Sequence, residues 1–160
     1  MTSPNSLAHT LAKSSVTHET VVLERTYKAS PARVFAAWES VEARLRWSKP
    51  SADTGLVYDA HDFRVGGKDI VRCGPANDMR FQAEVHYLDI VPGKRLIFSE
   101  RITESATPMA TSMITVEFRA KGQDTHQLVT MQIAALDGSD MVEGYKEGWE
   151  PTLDNLAKEF

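Results

Sequence analysis

Six apolar residues near the end of the chain, Val142, Tyr145, Trp149, Leu153, Leu156 and Phe160, recur at steps of three or four, and no other feature constrains the fold as much. Such steps line side chains along one side of a helix with 3.6 residues per turn. Glu143, Glu147, Glu150 and Asp154 follow the same steps on the other side. The pattern predicts a long amphipathic helix from Asp140 to Phe160. Asp140 is placed to cap its first free N–H groups, with Glu143 three residues on in the manner of a capping box. Pro151 lies inside the run, lacks an N–H and crowds the carbonyl of Glu147, so a kink or a restart is expected. Gly144 and Gly148, one turn apart, are expected to bring the backbone close to whatever lies beneath.

What lies beneath is predicted to be a sheet. Glu19 to Ala29 is β-branched, aromatic and partly alternating, which reads as a first strand. Ser30 is a good N-cap and Pro31 a good first helical residue, so a short helix should follow and bury Val34, Phe35 and Trp38. Ser40 can cap a second short helix that passes through Leu45 and ends near Trp47.

From Leu56 to Ala135 the apolar spacing becomes alternating and turn signals recur. Leu56 to Arg64 and Lys68 to Cys73 flank Val65-Gly66-Gly67 as a hairpin. Phe81, Ala83, Val85 and Tyr87 alternate with polar residues, and Pro92-Gly93 fits the centre of a type II turn before Leu96 and Phe98. Thr103 to Thr111 reads as a longer loop. Met113 to Arg119 and His126 to Ala135 form a last hairpin turning at Lys121 to Asp124. The sum is a strand, two short helices, about six antiparallel strands and the terminal helix.

A chain of 160 residues with 42% hydrophobic and 25% charged residues suits one domain with a core of its own. The domain is expected over 19–160, after a flexible Ser- and Thr-rich tail over 1–18. A formal net charge of −4 argues against nucleic acid as a partner. No stretch is apolar enough to span a membrane, and the start lacks the pattern of a secretory signal. Cys73 is the single cysteine, which permits no internal disulfide and fits a reducing, cytoplasmic setting.

Several marks then occur in order. They are Arg25 with Ala29-Ser30-Pro31 and the Val34 to Trp38 helix, Trp47, Asp62-Phe63-Arg64-Val65-Gly66-Gly67, and Val91-Pro92-Gly93 with Arg95-Leu96. The Thr125 strand start and Gly148-Trp149 with Leu153 and Leu156 complete them. Together they resemble an Aha-type domain, named for the activator of the heat-shock chaperone ATPase, within the START-like (SRPBCC) helix-grip superfamily. The resemblance implies an α+β fold in which a curved antiparallel sheet of about seven strands wraps a long C-terminal helix. It further implies a cavity between sheet and helix that holds an apolar or amphipathic ligand. The family has no single chemistry, so the fold does not choose one.

Trp38, Trp47, Phe81, Phe98, Met113, Tyr145 and Trp149 are the candidate ligand-binding residues. The first reading of each is core packing, because periodicity locates a buried face without saying whether the space beside it is full. His61 beside Asp62, and His86 opposite Glu100 if the hairpin registers so, are the candidate polar pocket groups. The histidines at 9, 18, 61, 86 and 126 lack metal-ligand spacing, and no cofactor motif is present. Gly66-Gly67-Lys68 joins two strands and reads as turn chemistry, while Arg64, Arg72 and Arg80 read as ion-paired or solvated. Cys73 reads as a small buried hydrophobe.

Three functions follow. The first is a non-enzymatic domain that encloses a small hydrophobic molecule. The second, from the resemblance, is an interaction module that assists a chaperone in a stress response. The third is a cyclase-, isomerase- or hydrolase-type enzyme with an acid or base in the cavity, which requires a titratable side chain pointing inward.

Overall fold

The structure, a computed structural model, describes residues 15–160. As far as residue 14 the expected tail lies outside the described residues, whereas Val16 to His18 belong to the first strand. The elements run β1 (Val16–Tyr27), α1 (Pro31–Glu39), α2 (Val41–Trp47), β2 (Thr54–Ala60), β3 (Lys68–Pro75), β4 (Phe81–Val91), β5 (Arg95–Glu104), β6 (Thr107–Lys121), β7 (Asp124–Leu136) and α3 (Met141–Leu156). A 3-10 turn, Ala157–Glu159, follows α3. The strands form one antiparallel sheet in the order β1-β7-β6-β5-β4-β3-β2, and α3 packs on its inner face.

The capping signals at the front of the chain act as expected. The Ser30 hydroxyl accepts from the N–H of Arg33, Pro31 opens α1, and the Ser40 hydroxyl accepts from the N–H of Ala43 to start α2. At α3 the capping expectation fails, because Asp140 makes no side-chain cap bond. Its carboxyl has no part in the first turn, which is entered with φ −89° and ψ 28° at Asp140. Helical structure continues through Pro151 to Leu156 without a restart. The Thr152 hydroxyl donates to the carbonyl of Trp149, beside the position where the proline supplies no N–H.

Two connections differ most from expectation. Strand β2 ends at Ala60, and residues 61–67 form a loop that folds back on β4: the N–H of Gly66 donates to the carbonyl of Tyr87, and Tyr87 N–H to that of Gly67. A Cβ at Gly67 would sit 2.2 Å from the carbonyl oxygen of Asp62, so this approach admits only glycine. The expected loop at 103–111 is instead a tight hairpin, with Ser105 (φ 47°) and Ala106 (φ 69°) as its two central residues. Pro108 is tolerated because β6 pairs with β7 only from Ala110 onward, so it lies where the strand has one neighbour. The Pro92-Gly93 turn is as read: Gly93 has φ 71° and the N–H of Lys94 donates to Val91.

Alternation along β6 and β7 sends Ala110, Ile114, Val116, Val129, Met131 and Ile133 inward, where they meet Leu153 and Leu156 of α3. The helix is also tied by polar contacts. The Tyr27 hydroxyl donates to the carbonyl of Leu153 at 2.7 Å, Asn155 donates to that of Lys49 at 2.8 Å, and Arg25 pairs with Asp154. No helix among the described residues is long and apolar enough to cross a membrane.

Candidate functional site

Between the sheet and the first half of α3 the packing opens into a cavity of about 610 Å³. Its walls come from α1, α2, the loop after α2, strands β2 to β5 and residues 141–152 of α3. Gly144 and Gly148 line it, and a Cβ at Gly148 would meet no neighbouring atom within 4 Å. Gly148 therefore leaves room above the cavity, in contrast to the close backbone contact expected of it, whereas a Cβ at Gly144 would press on the Met141 thioether at 3.3 Å.

Six of the seven apolar candidates meet there: Trp38, Trp47, Phe81, Phe98, Tyr145 and Trp149. Trp149 is stacked between Trp38 and Phe98, with ring centroids 6.0 and 6.5 Å away. Trp38 meets Trp47 edge-on at 4.9 Å and donates its indole N–H to the Gln127 side chain at 2.8 Å. The Trp47 indole donates to the carbonyl of Ala37. With both N–H groups satisfied, the two indoles present apolar surface to the cavity. Met113 is the exception. It is exposed, on the opposite face of the sheet, because Ile114, Val116 and Phe118 take the inward positions of β6. There it borders a separate polar depression of about 630 Å³ with His18, Thr20, Ser99, Thr111 and Gln132.

The polar candidates divide in the same way. His61 is exposed at the end of β2. His86 is exposed on the outer face, near Glu84 at 3.0 Å, and the register sets it opposite Ser99, not Glu100. The expected His86–Glu100 pair is therefore absent: the residues are offset by one, and in a strand one step reverses the face. Glu100 points inward, in line with Leu96, Phe98 and Ile102 on β5, and lines the cavity with them. Burial pushes its carboxyl up to about 7, with the Tyr145 hydroxyl offsetting part of the rise. That hydroxyl lies 2.7 Å from the Ser112 hydroxyl, on the residue directly across from Glu100 in β6. Burial likewise pushes the Tyr145 phenol up and the Cys73 thiol up to about 11, so both stay protonated at neutral pH.

A second polar group was not legible in the sequence. Arg44 of α2 donates to Asp69 of β3 at 2.7 Å and to the Tyr87 hydroxyl at 3.2 Å; that hydroxyl in turn donates to Asp69. Asp69 also accepts from the N–H of Asp62, and both members of the ion pair are almost fully buried. The Arg44 guanidinium lies over the Tyr58 ring at 5.0 Å. Asp69 shares an inward face with Val71 and Cys73, a period-two signal that could have found it. Arg44 carries none. Asp69, Val85, Glu100 and Ser112 occupy one cross-strand row, so the Arg44–Asp69 pair and Glu100 lie two strands apart, about 10 Å. Arg64, Arg72 and Arg80 are ion-paired to Asp62, Asp59 and Asp78 with Glu104, respectively.

Comparison with known proteins bears on this arrangement. The family described as activator of Hsp90 ATPase homolog 1-like protein matches residues 28–160. Among solved structures, the Mll3558 protein from Rhizobium loti is 37% identical, with a TM-score of 0.82 over 91% of this chain and 99% of that one. A protein from Rhizobium leguminosarum is 32% identical, with a TM-score of 0.75 over 91% and 96%. Protein CV1439 from Chromobacterium violaceum, 24% identical with a TM-score of 0.76 over 87% and 94%, shares the fold. No curated protein matches the sequence significantly.

Proposed function

Because the chain belongs to the activator of Hsp90 ATPase homolog 1-like family, within the START-like helix-grip fold, we propose that it binds one small, largely apolar molecule between the sheet and α3. The observation that carries this reading is a cavity of about 610 Å³ walled by Trp38, Phe98 and Trp149, with Glu100 as an inward polar group. Its volume is within the roughly 300–1,000 Å³ of small-molecule sites, and a mostly apolar wall with few polar groups is their usual lining.

Glu100 also supports a second reading, an acid or base acting on the bound molecule, since a carboxyl titrating near neutrality can both hold and release a proton. Binding stands ahead of it because Tyr145 and Cys73, the other titratable groups beside Glu100, stay protonated. The chaperone-assisting role implied by the family description would use the outer surface. There the exposed large apolar side chains Val16, Val22, Val65, Leu88 and Met113 are spread over β1, the 61–67 loop, β4 and β6.

The test is titration with the neutral dye N-phenyl-1-naphthylamine, with fluorescence and melting temperature as readouts. Saturable binding of one dye per chain, with a rise in melting temperature, is expected, since a ligand held only by the folded state stabilises it. No saturable binding would overturn the proposal.

A further inference from the structure

We infer that the cavity selects a cationic amphiphile, a molecule with an apolar body and a protonated amine that pairs with Glu100, over neutral or anionic molecules of the same size. This rests on the binding reading above and names the ligand class.

The first observation is the sign of the lining. Asp53, Asp69, Glu100 and Glu147 border the cavity, and Arg44 is the one cationic side chain among the described lining residues. Arg44 is engaged through Nη1 by Asp69 and the Tyr87 hydroxyl; its buried Nε has no partner, but Asp69 offsets the charge of the guanidinium. A ligand carboxylate or phosphate would find no cation whose charge is not already offset and would meet a negative field. A fatty acid is therefore a poor fit.

The second observation is Glu100 itself, which makes no ion pair among the described residues. Tyr145 from α3 and Cys73 from β3 are the titratable groups that face it, and neither is cationic. Asp69 stands two strands further along the same row, where Arg44 of α2 offsets its charge. An ammonium group supplies the missing countercharge. Beside Glu100 on the same face of β5 is Phe98, stacked on Trp149, and aromatic faces attract cations.

The pairing also fixes a pH dependence. Glu100 must lose its proton to bind an ammonium ion, and burial holds that proton until about pH 7. Amine affinity should therefore level off above pH 7 and fall about tenfold per pH unit below it. A neutral alcohol needs no such ionisation.

The experiment displaces N-phenyl-1-naphthylamine with decylamine, 1-decanol and decanoate, on the wild type and Glu100→Gln, between pH 5 and pH 9. At pH 8 decylamine should bind at least tenfold more tightly than decanol, and decanoate most weakly. The amine preference should fade below pH 7 and vanish in Glu100→Gln, which removes a buried charge and keeps the side-chain shape. Decanol or decanoate binding as tightly as the amine, or an amine preference that survives in Glu100→Gln, would overturn the inference while leaving the cavity a ligand site. Failure of the dye and of all three ligands to bind would overturn both.

Discussion

The inner face of the sheet is packed at one end and hollow at the other. On β6 and β7, Ala110, Ile114, Val116, Val129 and Met131 have no accessible surface, and neither do Leu153 and Leu156 above them. On β3 to β5 the same inward alternation continues through Val71, Val85, Phe98 and Ile102, but these side chains line the cavity. The helix divides to match, with leucines in its second half and Gly144 and Gly148 in its first. Apolar periodicity is the same in both halves, so what separates a core from a pocket is whether the opposite wall supplies volume.

The contrast is tested hardest at Leu153. In the packed half, Leu153→Ala leaves a hole that its neighbours cannot close, and should cost about 2–5 kcal/mol in denaturant unfolding. Dye affinity of the folded fraction should stay unchanged. A large change in dye affinity would show that the two halves are not independent.

Glu100 tests the hollow half through pH. Its carboxyl titrates near 4.5 in an ordinary setting and near 7 in the fold. A raised pKa means that the folded state holds a proton that the unfolded chain has lost. This contribution to stability is fully present below about pH 4.5 and is lost as pH rises to about 7. The loss is about 3 kcal/mol at most, since each pKa unit is about 1.4 kcal/mol. Glu100→Gln lacks the titration, so its stability relative to the wild type should climb by up to that amount between pH 4.5 and pH 8. A difference that is flat with pH would place Glu100 in contact with bulk water.

How much of this was legible follows from the kind of signal each feature leaves. The helix and its grip on the sheet were written as two periods, 3.6 and 2, which tertiary context did not overturn. Glu100 was legible as well, since Leu96, Phe98, Glu100 and Ile102 share one period-two face. Its supposed partner His86 was misplaced because register depends on the bulge between Tyr87 and Asp89 and on the turn, and a shift of one residue inverts the face. The 105–106 turn was missed because Ser105 and Ala106 take positive φ without being glycine or asparagine, while Pro108 suggested a loop. The Arg44–Asp69 pair joins residues 25 apart through tertiary packing, which no local pattern records.

The smallest expected effects come from two apolar side chains that the sequence treated alike. Trp149 is half-buried and stacked on Trp38 and Phe98, and each such aromatic pair is worth about 0.5–1.5 kcal/mol beyond its buried area. Trp149→Ala widens a space already open rather than creating one in a filled core, so its cost is mainly that of the two stacked pairs, about 1–3 kcal/mol, below the roughly 3–5 kcal/mol of a packed tryptophan. It should weaken dye binding severalfold through loss of the aromatic wall. Met113→Ala, on the outer face, should change stability by less than about 0.5 kcal/mol and leave dye binding alone. If Trp149→Ala costs as much as Leu153→Ala and dye binding holds, that indole belongs to the packed half, and the boundary of the cavity must be drawn closer to Glu100.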